Sequence, residues 1–170
     1  SYLKNANATL ESLAPTQQSR VRLISGDVSK LHLGLSGKEL RQLEQVTHIF
    51  HLAAVQALNA PAEVMEKTNL DGTRHILHLA KSLPNLKRLI HFSTCYVSGN
   101  RRGVITESEL SQEQTFRNAY EETKYLGERL VQKAKKDFNQ QGIVRTGELH
   151  PALPSAPCRD RMSAVAPAVP

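Results

Sequence analysis

The chain has 170 residues, 22 of them basic and 16 acidic, for a formal charge of +6; that length is enough for one domain with a real core. It has no Trp, few aromatic side chains and scattered basic residues, which argues against the stacking platforms and basic patches of nucleic-acid binders. No stretch approaches the roughly 20 apolar residues that a membrane helix needs.

Residues 1–20 are polar and read as a helix end plus loop, a flexible lead-in. Ser1-Tyr2-Leu3-Lys4 carries no initiator Met and no apolar signal stretch, so the chain is expected to begin mid-protein. Val21-Arg22-Leu23-Ile24-Ser25 alternates and stops at Gly26-Asp27, the pattern of a strand ended by a turn. Ser36 is placed to cap a short helix over 38–43. Residues 47–54 form a mostly apolar run of strand length, as in strands buried on both faces of a parallel sheet.

Residues 62–82 follow with helical periodicity, through Val64, Leu70, Ile76, Leu77 and Leu79, and stop before Pro84. Gly72 inside that helix costs about 1 kcal/mol relative to Ala, a cost that points to close approach of another chain segment. Residues 88–93 are the next strand, followed by a polar loop with Gly99, Asn100 and Gly103. A second long helix spans 117–138, and 142–145 reads as one more strand. Strands alternating with helices give a parallel α/β sheet over residues 21–147. Five of the eight prolines fall in the last twenty residues, so 148–170 is expected to be a disordered tail rich in Pro, Ala and Arg. Cys95 and Cys158 have no metal-ligand spacing, and two cysteines suit a reducing compartment, the cytoplasm.

Tyr120 and Lys124 are four apart on the second long helix and share one face. A free phenol, with a pKa of about 10, is a poor acid or base near neutrality. An ammonium beside it favours the phenolate and brings it into range to exchange a proton with a carbonyl or alcohol oxygen. The bland alternative is a surface pair with Lys124 bridged to Glu121 or Glu128. Ser93-Thr94 ends a buried strand, and ligands of open α/β sheets bind outside the carboxyl ends of strands. A hydroxyl there can polarise the same carbonyl. His51-Leu52-Ala53-Ala54 ends the neighbouring strand at that edge. Its small residues leave room for a flat ligand, or serve only core packing.

Together these residues resemble the extended short-chain dehydrogenase/reductase superfamily. The matching pieces are Gly26-Asp27-Val28, His51-x-Ala53-Ala54, Asn69-x-x-Gly72-Thr73, Ser93-Thr94, and Tyr120-x-x-x-Lys124 with Glu128 behind it. Leu33-Gly34-Leu35-Ser36 and Phe92-Ser93-Thr94 with Asn118-x-Tyr120 are similar to the thioester reductase and fatty acyl-CoA reductase branch. The resemblance implies a partial NAD(P)-binding Rossmann fold, a parallel sheet with flanking helices, and an oxidoreductase that passes nicotinamide hydride to an acyl thioester or related carbonyl. It implies Tyr120 as the general acid, and Lys124 as the group that lowers its pKa and binds the nicotinamide ribose. Thr94 aligns with the catalytic hydroxyl, with Ser93 as the fallback. Asp27 and Val28 would meet the adenine end of the cofactor, and Leu52, Ala53 and Ala54 would line its groove. Asn69 is expected to tie a neighbouring strand edge, with a supporting role in the catalytic site as the alternative.

The chain departs from that pattern in two places. The superfamily's first two strands and its glycine-rich turn have no counterpart among the nine glycines, and that turn cradles the pyrophosphate. The residue that chooses between NAD and NADP is absent with them. The resemblance favours NADP(H), with NAD(H) as the alternative. The missing strands leave an unpaired sheet edge open to self-association. After Arg145 no substrate region is legible. The expected partner is a small carbonyl or a carrier-bound acyl thioester, not nucleic acid and not a membrane. The runner-up readings are a sugar-nucleotide epimerase or dehydratase fragment, which shares the catalytic triad, and a non-catalytic truncated product.

Overall fold

A computed structural model describes residues 2–134 and the backbone of 141–146. Three parallel strands, β1 (His48–His51), β2 (Arg88–Thr94) and β3 (Gln141–Thr146), lie side by side in that order. His51 is opposite His91 in the first pairing, and Thr94 opposite Thr146 in the second. Parallel neighbours need long crossovers, and helices supply them. From β1 the chain passes through α4 (Ala62–Met65), a π turn (Glu66–Asp71) and α5 (Gly72–Ser82) to β2. From β2 it passes through a long loop and α6 (Ala119–Ala134) toward β3. The expected parallel α/β arrangement is therefore present.

Alternation sets the sheet's two faces. Leu89, His91 and Ser93 are buried beneath α5 and α6, while Ile90 and Phe92 on the opposite face are only half-buried. Leu89 packs with Ile76, Leu77 and Ala80 of α5 and with Val131 and Ala134 of α6. On β1, Phe50 points to the other face and is 61% exposed. Parallel sheets are normally covered on both faces, yet among the described residues helices pack on one. The outer edge of β1 likewise has no ladder partner there.

The first quarter of the chain differs most from expectation. Residues 21–25 form no regular element and pair with no strand among the described residues, and Val21 and Leu23 are exposed. A strand is defined by its ladder, and among the described residues no strand lies beside this segment to bond it. A turn follows instead, in which Asp27 N–H donates to the Leu33 carbonyl at 2.8 Å. Residues expected as a helix end plus loop include a ten-residue helix, α1 (Tyr2–Glu11), and a short α2 (Pro15–Gln18). The Ser36 cap holds as expected. Its hydroxyl accepts from Glu39 N–H, and the Glu39 carboxylate accepts from Ser36 N–H at 2.7 Å, opening α3 (Gly37–Gln42). The run 47–54 pairs only over β1, and residues 52–54 leave the ladder. The tail 148–170 lies outside the described residues.

Gly72 does permit a close approach. A Cβ there would sit 3.2 Å from Val28 Cγ2, so the turn after residue 25 packs directly on α5. Gly99 is required for a different reason. Its φ is +60°, and a Cβ would lie 2.3 Å from the Thr115 carbonyl oxygen. That contact folds the loop after β2 back on itself, where Asn100 N–H donates to Thr115 O and Thr115 N–H to Asn100 Oδ1.

Candidate active site

Residues from β1, β2, the helical crossover and α6 meet at the carboxyl end of the sheet. α6 begins there because Asn118 Oδ1 accepts from Glu121 N–H at 2.9 Å, a side-chain cap on an otherwise orphan donor. The same helix turns Tyr120, Thr123, Lys124, Gly127 and Glu128 inward, and all five are buried. Lys124 Nζ donates to the Phe92 carbonyl at 2.6 Å, tying the helix to β2 one residue before Ser93.

The bland reading of Lys124 as a surface ion pair is not what this geometry shows. Lys124 is 6% exposed. Glu121 is turned to Arg117 instead, its carboxylate accepting from Arg117 N–H. Burial disfavours the ammonium and pulls the Lys124 pKa down to about 8, against a partial upward pull from the Glu128 carboxylate. Tyr120 is 3% exposed, one helical turn earlier. The phenol and its cationic neighbour thus share a site from which water is largely excluded, where electrostatic effects are strong.

Thr94 and Ser93 are both buried at the end of β2. Thr94 Oγ1 accepts from Tyr96 N–H at 3.3 Å and caps the 3₁₀ turn Cys95–Ser98. That bond uses a lone pair and leaves the hydroxyl proton to be donated. Asn69 sits in the π turn and is buried. Its Oδ1 accepts from Val55 N–H at 2.7 Å, and its Nδ2 donates to Val55 O and to Thr123 Oγ1. One amide therefore anchors the loop after Ala54 to the residue beside Lys124. Leu52 and Ala53 are exposed along that loop, and Ala54 is half-buried.

Asp27 stands apart from the buried cluster. Its Oδ1 accepts from the backbone and hydroxyl of Ser29, which holds the carboxyl below its usual range. Val28 packs on Gly72, and its carbonyl accepts from His75 Nδ1 at 2.9 Å. Gly72 is three residues after Asn69, so one stretch of helix carries both the Asp27-Val28 turn and the loop after β1. Sequence reasoning passed over His91, although it shares a face with Ser93 two residues on. His51 was noted only as part of its motif.

The profile of an NAD-binding family described as "Male sterility protein" matches residues 3–151. The chain belongs to this family. It lies in the fatty acyl-CoA reductase branch of the extended short-chain dehydrogenase/reductases. It is 28% identical to fatty acyl-CoA reductase wat of Drosophila melanogaster, over 82% of this chain and 33% of that protein. Among solved structures, it resembles the terminal R domain from the myxalamid PKS-NRPS biosynthetic pathway, with a TM-score of 0.72 and 30% identity over 82% of this chain and 36% of that one. It also resembles UDP-glucuronic acid 4-epimerase from Bacillus cereus in complex with NAD, with a TM-score of 0.66 and 26% identity over 86% of this chain and 44% of that one. This male sterility family chain spans about a third of the curated relative's length. The family binds a nicotinamide dinucleotide, and the residues present fit one half of such a ligand. The buried Tyr120–Lys124 pair and the open, small-residue loop 52–54 suit the nicotinamide side, while no cluster of glycines offers a pyrophosphate cradle.

Proposed function

We propose that the chain carries the catalytic half of an NAD(P)-dependent reductase acting on an acyl thioester or a related carbonyl. The observation that carries this reading is Lys124, buried with its ammonium on the Phe92 carbonyl and sharing its helix face with Tyr120. An isolated buried ammonium is costly, and a role in proton transfer accounts for its retention. The cofactor supplies hydride to the carbonyl carbon when bound.

The chain's own residues handle the oxygen. Tyr120 donates its phenolic proton to the oxygen as negative charge develops there. Lys124 stabilises the phenolate left behind and is placed to hold a ribose hydroxyl of the cofactor. Thr94 donates a hydrogen bond to the same oxygen, with Ser93 behind it. Asp27 and Val28 would take the adenine end, and Leu52, Ala53 and Ala54 the groove between. NADPH is the cofactor we favour, with NADH as the alternative. The substrate class rests on the likeness to acyl-CoA and carrier-domain reductases, and the likeness to an NAD-bound epimerase supports a sugar nucleotide as the second reading.

The test is a chimera in which residues 3–146 replace the matching part of a fatty acyl-CoA reductase. It should consume NADPH with a long-chain acyl-CoA and leave UDP-glucuronic acid unchanged. Epimerisation of the sugar without acyl-CoA turnover would overturn the thioester reading.

A further inference from the structure

Between Tyr120 and Lys124 on α6 stands Thr123, which the proposed chemistry does not use. It is buried, at 2% exposure. Its hydroxyl gives its proton back along the helix, to Ala119 O at 2.7 Å with Tyr120 O at 3.2 Å. The lone pairs of Oγ1 are then what it can offer a partner, and Asn69 Nδ2 donates to them at 3.2 Å. Nδ2 also donates to Val55 O at 3.1 Å, and Oδ1 accepts from Val55 N–H at 2.7 Å. Both amide protons and the amide oxygen are thereby engaged. A flipped amide would turn its own donors on Val55 N–H.

Neighbouring contacts bring the same elements together. Gly127 is one turn beyond Thr123, and a Cβ there would lie 3.3 Å from Thr73 Oγ1 and 3.4 Å from Asn69 O. One face of α6 is thus flush with the crossover. Asn69 stands in the π turn Glu66–Asp71, and such turns recur at functional sites. Lys124 is fixed separately, to Phe92 O on β2. The turn that carries Tyr120 is therefore held from two sides, from β2 through Lys124 and from the loop after β1 through Thr123, Asn69 and Val55. Apolar side chains of the same shape could fill positions 69 and 123 with little loss of stability. Hydrogen bonds add a fixed direction and distance.

We propose that Asn69 and Thr123 are positioning residues for the proton transfer. Their hydrogen bond sets the Tyr120 turn of α6 against the loop after β1, so that the proton donor and the groove at 52–54 are placed as one unit. This rests on the reading of Tyr120 as the proton donor. Without the tie, α6 keeps its anchor at Lys124 and its close contact at Gly127, and the fold persists. The phenol loses its registry with the groove. The effect falls on turnover ahead of cofactor affinity, because Lys124 and the groove residues are still present.

Two arms test it. The first reads the full chain by NMR, without cofactor or substrate. Thr123→Val keeps the shape and removes the hydroxyl, and Thr123→Ser keeps the hydroxyl. Val55 N–H is bonded to Asn69 and not to Thr123, so its hydrogen exchange reports the tie at one remove. Thr123→Val should speed that exchange at least about fivefold, the loss of one hydrogen bond. Thr123→Ser should restore it, and the amides of 76–80 should keep their wild-type rates. Asn69→Ala cuts the tie from the other end and should move the ring signals of Tyr120. Unchanged Val55 exchange in Thr123→Val overturns the proposal; should that variant not fold, unchanged Tyr120 signals in Asn69→Ala do so. The second arm uses the reductase chimera. There Thr123→Val should lower kcat about tenfold, with KM for NADPH changed by less than about threefold. Thr123→Ser should recover it. The double variant should be no slower than Asn69→Ala alone, since both changes cut one tie. A lower melting temperature with kcat unchanged, or losses that add, overturns the proposal. An inactive chimera defeats the reductase reading and leaves the first arm to decide, so the two fail separately.

Discussion

Acid should destabilise this fold through the two imidazoles held neutral beneath α6. Burial first, and then the Lys124 charge, lower His51 from 6.5 to about 4 and His91 to about 2. Each folded-state pKa therefore lies below its unfolded value. Unfolding takes up a proton per ring wherever the pH lies between the two, and stability falls as pH falls. The slope is about 1.4 kcal/mol per pH unit for each ring. From pH 6.5 to pH 5 both rings are still largely neutral in the fold while the unfolded rings go from half to almost fully protonated, so the loss is about 1.6 kcal/mol each and about 3 kcal/mol together. That is comparable with a domain's whole stability of about 5–15 kcal/mol. Urea denaturation at half-unit pH steps measures it. Wild type should lose stability steeply across this window, and His51→Phe or His91→Phe should each remove about half the slope. A flat wild-type profile, or variants with an unchanged slope, would refute the argument from burial.

Lys124→Met should raise stability at pH 7 by roughly 2 kcal/mol, because a buried ammonium with a depressed pKa costs more than the bond to Phe92 returns; the urea midpoint reports it, and a lower midpoint contradicts it. The same group makes wild-type stability rise between about pH 8 and pH 10.5 as the folded lysine sheds its proton first. Gly99→Ala should cost at least about 2 kcal/mol, since a positive φ and a clash with Thr115 O act together; a thermal melt within a degree of wild type would show that the loop relaxes. Hydrogen exchange should find protection at residues 48–51 and 88–94 and little at 21–25, and strong protection at 21–25 would mean that segment has found a ladder partner. By itself the chain should bind NADPH and NADH weakly or not at all, because no glycine turn cradles the pyrophosphate; a micromolar dissociation constant by calorimetry contradicts this.

The strands at 48–51 and 88–94, the capped helix after Ser36 and the long α6 were legible because each is a local pattern that its tertiary setting reinforces. Gly72 was legible for the same reason, since a glycine kept inside a helix signals contact and Val28 makes it. Residues 21–25 show the limit of such patterns. Their alternation is that of a strand, but a ladder needs a neighbour, and none lies beside them among the described residues. The π turn at 66–71 left no mark on the hydrophobic periodicity, which one extra residue per turn barely disturbs. In the site, Tyr120, Lys124 and Thr94 could be placed by spacing along one helix and at one strand end. The burial of His51 and His91 could not, because it depends on which helices close over β1 and β2. Asn69 was singled out from its motif, and its three hydrogen bonds to Val55 and Thr123 depend on the loop after β1 and on α6, which no local pattern shows.

The central claim is that Tyr120 is the proton donor and Lys124 its partner. The most direct measurement follows nicotinamide oxidation by the acyl-CoA reductase chimera carrying Tyr120→Phe, alongside cofactor affinity from fluorescence quenching. The phenyl ring keeps the shape and removes only the proton, so turnover should fall by at least about a hundredfold with cofactor binding nearly unchanged. Lys124→Ala should damage both. Near wild-type turnover in Tyr120→Phe would contradict the assignment of the general acid.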